Sequence, residues 1–109
     1  MTMKRFMAIH TYHSEEAKKA MMQWAAENTA SQKEFMAAQV FDKCRTVATW
    51  IGTDDFFFCH WYAESEDAIY ETLEKTGFAS FMITLPCKMP RFVTKYDVKN
   101  SPMDNPDQE

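Results

Sequence analysis

The sequence predicts an α+β fold: strand, a helix in two pieces, strand, strand, helix, strand. Three observations carry this. Apolar and polar residues alternate with a period of two over 4–12 and 91–98, and 44–51 and 56–62 are two further strand-like runs. Serines stand at 14, 31 and 65, each followed within the next three positions by acids. Gly52-Thr53-Asp54-Asp55 separates two strand-like runs as a hairpin connection would.

The elements follow in order. KRFMAIHTY, 4–12, puts Phe6, Ala8, His10 and Tyr12 on one face and Arg5, Met7, Ile9 and Thr11 on the other. Ser14 caps a helix whose first turn holds Glu15 and Glu16, charges that a helix N-terminus favours. Ala17, Met21, Trp24 and Asn28 trace its inner stripe. ENTAS interrupts the helix, and Ser31 with Glu34 forms a capping box for a short second piece that buries Phe35, Met36 and Val40. CRTVATWI, 44–51, and the aromatic run after the hairpin are the next strands. Ser65 caps the last helix, with Ala68, Ile69, Thr72 and Leu73 inside and Gly77 as its stop. FASFMITLPCKMP contains two prolines and reads as a connection, leaving RFVTKYDV, 91–98, as the final strand. Residues 1–98 are expected to form one domain, and the polar, proline-containing stretch 99–109 a mobile tail.

This order is that of the ferredoxin-like βαββαβ arrangement, with helices on one face of a four-stranded antiparallel sheet and strands one and three at its centre. A central strand with one wet face should alternate apolar and polar residues. Residues 56–62, FFFCHWY, carry large side chains on both faces. Something must cover the second face, and a second copy is the economical answer, so a homodimer of the dimeric α+β barrel type is expected.

Pairing Phe6 with His60 and His10 with Phe56 sorts the two central strands. Met7, Ile9, Phe57, Cys59 and Trp61 then form the core under the helices. Phe6, Ala8, His10, Tyr12, Phe56, Phe58, His60 and Tyr62 fall on the other face, where polar tips among aromatic rings suit a small ligand. Phe6, His10, Tyr12, Trp50, Phe56, Phe58 and Tyr96 are the candidate ligand pocket. In an enzyme, His60 would be the general base on an acidic carbon or phenol of an aromatic or apolar substrate, flanked by Tyr62 and Tyr96. In the same register His10 and His60 are about 13 Å apart along the strand, too far to share one ion. His10, His13, Asp55 and Cys87 gather at one end of the sheet and are the candidate metal ligands.

Composition narrows the classes. Of 109 residues, 46% are hydrophobic and 26% charged, a globular balance. The net charge of -4, without a cluster of Lys or Arg, argues against nucleic acid or an anionic membrane as partner. There is no long apolar run and no signal-peptide pattern, so a cytoplasmic protein is expected. Three widely spaced cysteines suggest reduced thiols, Cys59 inert in the core and Cys87, beside Lys88, the more reactive. Two glycines in the whole chain exclude a glycine-rich phosphate loop.

The phrases FMAIHTY and FFFCHWYAESEDAIYETLEKTGF resemble a family of small bacterial ferredoxin-like proteins that includes nickel-binding members. The likeness spans about two thirds of the chain, with His10 and Cys59 as the matching positions. Tyr62 stands where that family tends to have Glu, and Thr76 where a His often precedes the glycine. The resemblance implies a dimeric α+β barrel that binds a small ligand or a transition metal such as nickel. Architecture alone also resembles dimeric α+β barrel enzymes, cofactor-independent monooxygenases and small isomerases among them. A ligand-free interaction module is the third expectation, and it would have a closed, dry sheet interface.

Overall fold

The computed structural model describes residues 2–103. They form an α+β fold with a four-stranded antiparallel sheet and three α-helices: β1 (Lys4–Tyr12), α1 (Glu15–Glu27), α2 (Gln32–Ala38), β2 (Cys44–Ile51), β3 (Phe56–Ala63), α3 (Glu66–Thr76) and β4 (Met82–Lys88). The strand order is β2-β3-β1-β4, which places β1 and β3 side by side at the centre and is compatible with a ferredoxin-like arrangement. No helix among the described residues is long and apolar enough to cross a membrane.

Local chemistry sets the helix ends. The Ser14 and Ser65 hydroxyls accept from the backbone N–H of Ala17 and Ala68, satisfying donors that the first turn leaves open. Ser31 and Glu34 complete the capping box in both directions. Gly77 ends α3 in the left-handed region, at φ 86°, where a Cβ would be strained.

The fourth strand is not where the sequence pattern put it. It spans Met82–Lys88, and residues 91–98 form no strand. Pro86 had counted against this segment, but β4 is an edge strand bonded to β1 alone, and an edge tolerates a residue without an N–H. The described part of the stretch expected to be a tail is residues 99–103; the rest of that expectation lies outside the described residues.

The register of the central pair also differs from the expected one by one residue. Phe6 faces Trp61, Met7 faces His60 and His10 faces Phe57. Because side chains alternate between faces, this slip exchanges the whole β1 set. Phe6, Ala8, His10 and Tyr12 join Phe57, Cys59 and Trp61, while Arg5, Met7 and Ile9 join Phe58, His60 and Tyr62. The buried cluster confirms which set is the core: Phe6, Ala8, Tyr12, Phe57, Cys59 and Trp61 pack with Met21 of α1 and with Ala68, Ile69 and Leu73 of α3. Both histidines were expected on one face; they lie on opposite faces.

Candidate functional site

Between the core side of the sheet and the helices lies a cavity of about 660 Å³. Its walls come from every layer: His10 on β1, Met21 and Trp24 on α1, Phe35 and Met36 on α2, Thr46 and Thr49 on β2, and Phe57, Cys59 and Trp61 on β3. Asn28, Ser31, Gln32 and Ile51, all exposed, mark where it opens beside the break between α1 and α2. The break matters here, because α2 buries none of its residues fully and leaves space beneath it.

Three residues of this lining each hold a polar atom that is buried without a hydrogen-bond partner: His10 Nε2, Thr46 Oγ1 and Trp61 Nε1. An unsatisfied buried polar group costs about 1–3 kcal/mol, so three around one cavity are a concentrated expense in so small a fold. His10 itself is 1% exposed. Its Nδ1 is 2.7 Å from Thr84 Oγ1 and its ring lies 4.6 Å from that of Phe57. Burial lowers its pKa to about 4, so the ring is neutral near pH 7. Cys59 is 3.2 Å from Thr49 Oγ1, and burial raises its thiol to about 11, which removes it as a nucleophile.

The other expected pocket residues scatter. Phe6 and Tyr12 are packed in the core, Phe58 and the exposed Trp50 and Phe56 belong to the opposite face, and Tyr96 is 89% exposed. Of that set, His10 alone lines the cavity. Sequence reading missed Thr46 and placed Trp61 in ordinary core. A bulge between Thr46 and Ala48 shifts the β2 register, and the alternation of CRTVATWI carries no sign of it.

The expected metal ligands do not converge, and no group of three or more His, Cys, Asp or Glu among the described residues is placed to hold an ion. His10 points with the core set of β1, whereas Cys87 pairs with Met7 on the opposite set. His13 Nε2 is engaged with the Ala79 carbonyl at 2.9 Å. Asp55 Oδ1 lies 3.1 Å from Lys18 Nζ. The slip of register and the placement of β4 together separate the four.

On the opposite face His60 sits in a cationic, aromatic cluster. Arg5, Tyr62 and Arg45 are directly opposite one another on β1, β3 and β2. The guanidinium carbons of Arg5 and Arg45 lie 4.7 and 4.9 Å from the Tyr62 ring centre, and Arg5 is also 4.3 Å from that of Phe92. Phe92, not Tyr96, is the C-terminal ring beside His60, at 5.4 Å.

No protein-family model, curated protein or solved structure matches the chain.

Proposed function

We propose that the protein binds a small organic molecule in the cavity between the helices and the sheet. The observation that carries this reading is that three residues lining one cavity, His10, Thr46 and Trp61, each hold a buried polar atom with no hydrogen-bond partner. A largely apolar enclosure with a few polar groups is how ligand sites are built, and 660 Å³ is within their ordinary range. A hydroxyl or carbonyl bound beside either His10 or the Thr46 and Trp61 pair would offer a partner to a polar atom that otherwise weighs against folding. A thermal-shift screen of a chemically diverse small-molecule library tests it. Compounds that raise the melting midpoint of the protein, and lose that effect in His10→Gln and Thr46→Val, are the expected result. A screen in which every stabilising compound acts equally on those variants would defeat the reading.

The second part of the proposal is a ferredoxin-like homodimer with the open sheet faces together. Ile83 and Leu85 of β4, at 62% and 57% exposed, stand with Trp50 and Phe56 as large apolar side chains open to solvent. Phe92 lies against the Arg5 and His60 end of that same face, so a second copy would cover the remainder.

A role for His60 as the general base of a monooxygenase- or isomerase-like enzyme has less behind it. The Arg5 guanidinium donates to His60 Nε2, the lone pair that a general base would use.

A further inference from the structure

We infer that the ligand of this cavity is an uncharged, largely aromatic molecule that carries a hydroxyl or carbonyl group. The inference rests on the cavity reading above and names the class of molecule.

Among the described residues, the lining contains no Asp, Glu, Lys or Arg. An ion entering it would shed its water and meet no opposite charge, at a cost of several kcal/mol. The two lining groups that can ionise do not help: burial holds His10 neutral down to about 4 and the Cys59 thiol neutral up to about 11. The rim residues Asn28, Ser31 and Gln32 are polar but also uncharged.

Aromatic rings come from separate elements: Trp24 of α1, Phe35 of α2, Phe41 before β2, Phe57 and Trp61 of β3, and Phe78 after α3. Trp24 and Phe78 meet edge to face at 5.3 Å, and Phe41 stacks near Trp61 at 6.2 Å. Edges and faces are therefore both offered to a flat molecule. The residues that hold the unpartnered polar atoms form two stations. Thr46 and Trp61 are directly paired across β2 and β3, while His10 is opposite Phe57, four residues from Trp61 along β3, roughly 13 Å by strand rise. An oxygen function near either station orients the ring system.

Phenylnaphthylamine and its sulfonated analogue, anilinonaphthalenesulfonate, share a fluorescent ring system and differ in charge. Titrations of both into the intact protein and into Ala25→Trp, an exposed position of α1 on the cavity lining, decide the matter, with circular dichroism confirming that the variant is folded. The expected result is binding of the neutral dye, loss of that binding in Ala25→Trp, and binding of the sulfonate more than about tenfold weaker. If the sulfonate binds as tightly and is likewise lost in Ala25→Trp, the cavity is a site and the uncharged class is wrong. If neither dye binds, or neither responds to Ala25→Trp, the cavity reading falls and this inference with it.

Discussion

Arg5 Nη1 lies 2.6 Å from His60 Nε2 on the face of the sheet opposite the cavity. Arginine has donors only, so His60 must accept, and its ring is the neutral tautomer protonated at Nδ1. Nitrogen chemical shifts of the imidazole at neutral pH should report a bare Nε2 and a protonated Nδ1. Arg5 also lies over the rings of Tyr62 and Phe92, so Arg5→Met should destabilise the fold by about 1–3 kcal/mol and release the tautomer preference. An unchanged histidine spectrum in that variant would refute the link.

His10 gives a pH dependence with a definite sign. Its folded pKa is lowered from 6.5 to about 4 by burial, so the unfolded chain binds the proton first as pH falls. Its contribution is full above the unfolded value of 6.5 and is lost as pH falls towards 4, by roughly 3 kcal/mol in all. Urea unfolding measured at several pH values should show that loss, and His10→Gln should flatten the curve between those limits.

Thr46 offers a test in which stability and binding move apart. Its hydroxyl is buried and unpartnered, so Thr46→Val, which keeps the shape, should stabilise the ligand-free protein by about 1 kcal/mol. The same change should weaken a ligand that hydrogen-bonds there. A variant that loses stability would show that the hydroxyl is satisfied.

The exposed apolar residues of β4 give the assembly prediction. Leu85→Glu places a charge on the face proposed to pair with a second copy and should convert a dimer to monomer by sedimentation or light scattering. A wild-type protein that is already monomeric at micromolar concentration refutes the dimer.

Much of the fold was legible because its signals are local. Ser14, Ser31 and Ser65 act on the next turn of chain, and Gly77 on the last, so sequence spacing is enough to find them. The site was less legible because it depends on register. Phe6, His10, Phe57 and Trp61 have the same alternation whether Phe6 meets His60 or Trp61, and only packing decides. The bulge before Ala48 and the edge position of Pro86 are likewise products of what lies beside each strand. A cluster read from an assumed register, such as His10 with Cys87, fails when one pairing moves.

Pro86 has a consequence for how this chain meets its own kind. With Lys88 exposed at its end, it makes β4 a poor template for a further strand. On the other border, the irregularity at Val47 interrupts the ladder of β2. Both margins of the sheet are thus guarded against open-ended, edge-to-edge growth into fibres, whereas the proposed contact through the open faces would close after two copies.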